Sequence, residues 1–129
     1  MRKIVLAVAV LFALQLHAES SHSSERERLV TPTLWAASPI MFACNLTNVD
    51  HRAHQVQVRI ISNGKVLFES KKMRVEPRHT TNNTIKGLPG DGGPLYCEFT
   101  VESDKDDFRG VAVLYRGVRG SDFVSIAAE

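Results

Sequence analysis

The chain is poor in the residues and spacings that usually announce chemistry. Only two cysteines, one tryptophan and two tyrosines occur among its 129 residues. The two cysteines do not form a CxxC pair, which removes the redox motif. There is no GxSxG and no Ser beside a plausible base at motif spacing, so nucleophilic catalysis has no local signature. No stretch keeps a helical period over three turns, which argues against a helical domain. Beyond the first residues, no apolar run approaches the roughly 20 residues that span a bilayer.

The one sustained apolar run is at the start. Arg2 and Lys3 precede Ile4 to Leu16, broken only by Gln15, and small Ala18 follows. A basic head, a core of about 7–15 apolar residues and a small residue at the cut read as a secretory signal peptide. Residues 1–18 are therefore expected to be cleaved near Ala18, leaving a secreted or periplasmic protein without a membrane span. Arg2 and Lys3 leave with the signal, so 14 basic residues face 14 acidic ones in what remains. That balance implies no broad attraction to nucleic acid or an anionic membrane. Residues 19–28 hold Ser, Glu, Arg and one His with nothing apolar to bury, the composition of a flexible polar leader. Residues 29–129 are enough for a single domain.

Within that domain the hydrophobic period is two. Phe42, Cys44 and Leu46 alternate with Ala43, Asn45 and Thr47, and Val56, Val58 and Ile60 alternate with Gln55, Gln57 and Arg59. Asn63-Gly64 follows, a pair that accepts the positive φ angles of a type I′ hairpin turn. Shorter segments run over 73–75 and 79–86. Leu95, Cys97, Phe99 and Val101 form the clearest apolar face, opposite Tyr96, Glu98, Thr100 and Glu102. Residues 108–115 and 121–127 supply two more strands. Pro32 and Pro39 restrict anything between 29 and 40 to short or edge strands. The expectation is an all-β sandwich of about seven antiparallel strands.

Cys44 and Cys97 lie on the apolar faces of their strands. An even cysteine count in a small exported chain predicts a disulfide, and two cysteines allow one connectivity. The bridge would join either two packed sheets or two neighbouring strands.

With this pattern the chain resembles immunoglobulin-like and fibronectin type III-like sandwiches. It departs from the antibody type in two places: Trp35 precedes the first Cys, and Tyr96 is adjacent to the second rather than two residues before it. The frames CNLTN (44–48), VQVRIISNGKV (56–66) and LYCEFTVE (95–102) also resemble small exported bacterial proteins of unassigned function. The resemblance implies a fold and no catalytic residues.

Several local features carry possible chemistry. His51 and His54 flank a turn, and with His79 they make a candidate three-histidine metal site; polar turn residues are the plainer reading. Glu102, Asp104, Asp106 and Asp107 cluster before Phe108, but their spacing does not match an EF-hand loop. The glycine-rich 87–94 segment lacks the Gly-Lys-Ser/Thr of a phosphate loop and leads into a strand. Asn45-Leu46-Thr47 and Asn82-Asn83-Thr84 match the glycan acceptor triplet, which matters only in a eukaryotic secretory pathway. Lys71, Lys72, Arg74 and Arg78, and separately Arg109, Arg116 and Arg119, suit charged protection of edge strands. No catalytic residue and no cofactor is expected. The expected function is a non-catalytic exported module binding a protein or glycan partner at the cell envelope or extracellularly. The alternative is a metal-handling protein or enzyme using His51, His54 and His79.

Overall fold

A computed structural model describes residues 26–36, 41–86, 93–116 and 122–128. The segment read as a signal peptide, residues 19–25 of the leader, most of the glycine-rich 87–94 segment, and Arg119 lie outside the described residues.

Among the described residues there are ten strands rather than seven. They are β1 (Glu27–Val30), β2 (Leu34–Ala36), β3 (Met41–Asn48), β4 (His54–Ser62), β5 (Lys65–Glu69), β6 (Met73–Val75), β7 (Thr80–Lys86), β8 (Gly93–Val101), β9 (Phe108–Arg116) and β10 (Asp122–Ala127). β6 is the short 73–75 segment read from the sequence; the surplus comes mainly from β1 and β2, of four and three residues. Segments this short carry too little alternation to register as a period. β1 also takes in Glu27 and Arg28 of the polar leader, because its ladder on β8 begins at Glu27 opposite Val101.

Two antiparallel sheets form the molecule. The first runs β1-β8-β4-β5, with β2 also on β8 and β6 also on β4; the second runs β10-β9-β3-β7. β1 and β2 follow one line along β8, but their register differs by one residue across Pro32. Proline has no N–H to give the ladder. Thr31 makes the link instead: its N–H donates to the Cys97 carbonyl at 3.0 Å, and its Oγ1 accepts from the Cys97 N–H at 2.9 Å. At the β4–β5 hairpin Asn63 and Gly64 have φ of 48° and 73°, the left-handed values expected of Asn-Gly.

The inward faces follow the alternation read from the sequence. Phe42, Cys44 and Leu46 on β3 meet Val56, Val58 and Ile60 on β4 and Leu95, Cys97, Phe99 and Val101 on β8. Cys44 and Cys97 are fully buried and bonded, with Cα atoms 5.8 Å apart. β3 and β8 belong to different sheets, so of the two geometries open from sequence the bridge takes the one that clamps the sandwich. It links positions 53 residues apart. In the chain-entropy account such a loop contributes roughly 4 kcal/mol. Gly110 on β9 sits where Phe99 leaves no room: a Cβ there would lie 2.7 Å from a Phe99 ring carbon and 2.9 Å from the Ala128 Cβ.

Candidate functional site

Strand alternation turns one set of side chains from the first sheet outward, and these divide into two zones. At one end the outward residues are charged and joined across strands. Arg28 lies 3.7 Å from Glu98, which lies 3.3 Å from Arg59, which lies 2.6 Å from Glu69. The hydrogen bond and charge of Glu69, assisted by Glu98, push the Arg59 guanidinium further above its ordinary value. A second group joins Arg26 and Lys72 to Glu102, at 3.6 and 2.6 Å. The hydrogen bond from Lys72 holds the Glu102 carboxyl below the usual carboxylate range.

At the hairpin end the same face is apolar. Trp35 pairs with Pro94; Tyr96, two residues along β8, pairs with Ile61, which pairs with Val66 on β5. Paired positions share a face, so these five residues form a band across four strands. Trp35 is 66% exposed and Val66 51% exposed. β5 closes the sheet on this side, and its Val66-Leu67-Phe68 core has charge only at its ends, Lys65 and Glu69. Natural edge strands normally interrupt such runs with charge. The basic group at 71–78 falls on and around β6 instead, with Arg74 paired to Glu76 at 2.8 Å.

The second candidate is a polar corner where β3 passes into β4. Asn48 is fully buried and anchors it. Its Nδ2 donates to the Arg52 and Val75 carbonyls at 2.7 and 3.0 Å, and its Oδ1 accepts from the Asp50 N–H at 2.9 Å. This turn presents Asp50 to the first residue of β4: His54 Nε2 donates to Asp50 Oδ2 at 2.7 Å. That hydrogen bond holds the Asp50 carboxyl down to about 2. Burial opposes it, and the His51 N–H and the charges of His51 and Arg52 assist it. The 3₁₀ turn Lys105–Asp107 comes up alongside, tied by a 2.8 Å bond from the Val49 N–H to the Asp107 carbonyl. Asp107 Oδ2 lies 4.0 Å from His54 Nε2 and accepts from Ser103 Oγ at 2.5 Å. The Phe108 ring meets the His54 ring edge-on, with centroids 5.7 Å apart.

The three histidines of the sequence reading do not come together here. His51 Nδ1 points to Asp50 Oδ1 at 2.6 Å from an 86% exposed position. His79 is exposed and turned to the Pro77 carbonyl at 3.0 Å. The group with converging ligand atoms is Asp50, His54 and Asp107. Of the acidic cluster, Asp104 instead caps the 3₁₀ turn, accepting from the Asp106 N–H at 2.9 Å. Sequence reasoning missed Asn48, and it read Asp107 within the 102–107 acidic cluster and not beside His54. Asn-Val-Asp at 48–50 has the spacing of a side-chain-to-backbone Asx turn and marks the first. Nothing local marks Asp107 as a neighbour of His54, because it is brought in by a different hairpin.

Among the described residues no helix is long and apolar enough to cross a membrane. No family model matches the sequence, and no curated protein does. The crystal structure of Thermotoga maritima 1070 is similar, with a TM-score of 0.52 at 6% identity over 78% of this chain and 88% of that one. At that identity the likeness reaches the fold and no further.

Proposed function

We propose that this chain is a non-catalytic, exported, immunoglobulin-like β-sandwich module that binds a protein partner at the cell envelope or outside the cell. One observation carries the reading: the apolar band of Trp35, Pro94, Tyr96, Ile61 and Val66, exposed at its two ends through Trp35 and Val66, on a sheet face that carries paired charges at its other end. An apolar patch rimmed by polar groups is the usual form of an interaction surface. Its aliphatic share favours protein over a glycan, since sugars stack on aromatic rings and need polar side chains beside them. The adjoining β5 edge adds a place for an extended segment to pair. The Arg–Glu pairing on the same face also speaks against phosphate recognition, because those guanidinium groups already have carboxylate partners.

The test is photo-crosslinking from position 66 in envelope and culture fractions, with position 57 as a control on the same face. A discrete protein adduct from position 66 that competes with unlabelled protein, and is lost in a Trp35→Ser/Tyr96→Ser variant, is the expected result. Equal labelling from both positions would overturn the proposal. Binding to a glycan array abolished by the same double variant would replace the protein partner by a glycan.

A further inference from the structure

We propose that Asp50, His54 and Asp107 form a binding site for a first-row divalent transition ion, with Zn²⁺ as the probe that fits the donor set. One imidazole nitrogen and two carboxylate oxygens, from the β3–β4 corner and from the 3₁₀ turn before β9, all lie within 4.8 Å of one another. The His54 and Asp50 side chains are 10% and 8% exposed, while Asp107 is 29% exposed and leaves the site open on its side.

A structural histidine needs one acceptor, and Asp50 supplies it. That hydrogen bond accounts for Asp50, whereas Asp107 Oδ2 is met by Ser103 Oγ and still turns toward the same imidazole nitrogen. Asp107 Oδ2 stands 4.0 Å from the same Nε2, beyond hydrogen-bond length. Two carboxylates directed at one partly desolvated volume repel each other. A divalent cation in that volume converts the repulsion into attraction and takes the place of the Nε2 proton. The spacing suits it. Ligands about 2.0–2.2 Å from a tetrahedral ion stand about 3.3 Å apart. The 2.7 Å and 4.0 Å separations from His54 Nε2 bracket that value, and the two carboxylate oxygens lie within 4.8 Å of each other, so side-chain shifts of about 1 Å bring the three protein ligands to the ion.

The surroundings hold the ligands as an outer shell does. Ser103 Oγ fixes Asp107, and the His51 N–H, 2.7 Å from Asp50 Oδ1, fixes the other oxygen of that carboxylate. The imidazole separates this site from calcium and magnesium sites, which are built from oxygen ligands. Three protein ligands leave at least one position for water.

The inference is independent of the apolar band and is tested on the chelator-treated purified protein by calorimetric titration with Zn²⁺. We expect one ion per chain, and binding to Ca²⁺ or Mg²⁺ weaker by about tenfold or more. His54→Ala and Asp107→Asn should each weaken Zn²⁺ by about tenfold or more. Asp107 is partly exposed and outside the core, so Asp107→Asn, checked by its melting curve, keeps the test decisive if His54→Ala unfolds. His51→Ala should change affinity by less than about twofold, and Trp35→Ser should leave it unchanged. Absence of Zn²⁺ uptake overturns the proposal. So does uptake that survives Asp107→Asn intact, or uptake lost in His51→Ala but kept in His54→Ala.

Discussion

The middle of the sandwich and its His54 corner hold the two sheets by opposite means. In the middle, β3 and β8 are joined by one covalent bond between fully buried cysteines, among aliphatic and aromatic side chains. At the corner, the β3–β4 turn, β6 and the 3₁₀ turn meet through Asn48, Asp50, His54 and Asp107. The middle is non-directional apart from its bridge and indifferent to proton concentration. The corner is directional: each polar group has a named partner, and one of its anions is held in the ionised form by a neighbour. A fold can thus keep its stability in one place and its adaptable chemistry in another.

The largest effect should come from opening the bridge. Reduction or a Cys44→Ala/Cys97→Ala double change should lower stability by roughly 4 kcal/mol on the loop-entropy account. Denaturant midpoints with and without reductant read this directly. Intact masses differing by two protons would first establish that the bridge forms in purified protein.

Breaking the corner at its anchor should cost less. Asn48→Ala removes the partners of the Arg52 and Val75 carbonyls and the Asp50 N–H, all three in buried or part-buried positions. The expected loss is about 2–3 kcal/mol, with the disulfide still formed. An equal loss after reduction of both proteins would mean that corner and core behave as independent units.

Gly110→Ala probes the core without touching the bridge. The new methyl meets the Phe99 ring and Ala128 at distances that require one of them to move. A loss of about 1–3 kcal/mol is expected. Ala128 lies beyond the last strand, so relief by displacing that end would show as loss of protection of the Ala128 amide in hydrogen exchange, whose N–H donates to the Gly110 carbonyl at 2.7 Å.

The smallest effect distinguishes the two regions by pH. Asp50 is held down to about 2 from an ordinary 3.8, with the His54 hydrogen bond as the main cause. A carboxyl lowered by folding stabilises the native state fully above its unfolded value. That contribution disappears as pH falls from about 4 through about 2. Asp50→Asn should therefore flatten the stability profile in this window, whereas Cys44→Ala/Cys97→Ala should shift it downward without changing its shape. Identical slopes for wild type and Asp50→Asn between pH 4 and 2 would refute the role given to this pair.

Much of the first region was legible from the chain. Alternation placed Phe42, Cys44, Leu46, Leu95, Cys97 and Phe99 on inward faces, because a strand with one buried face writes its environment at every second position. Asn63-Gly64 announced its turn for an equally local reason. The short 73–75 segment was legible too, but between 29 and 40 the sequence showed only that any strand would be short or at an edge. β1 and β2 are set by what β8 offers on its edge, and Pro32 breaks their pattern. The number of strands therefore came out too low. At the corner, the His51, His54 and His79 grouping rested on nearness in sequence. The turn anchored by Asn48 sends His51 outward and His54 inward, and His79 turns to the Pro77 carbonyl of its own connection.

By itself the sequence determined the all-β class, the inward faces and the identity of the two cysteines, since these depend on periodicity and composition over a few residues. Only the tertiary structure decided that Cys44 and Cys97 bridge the two sheets, that Trp35, Tyr96 and Val66 share one outer band, and that Asp107 joins Asp50 and His54. Each of those depends on which strands become neighbours and in what register. Pairing between distant segments is chosen by the energy of the whole core, and no local stretch of the chain contains it.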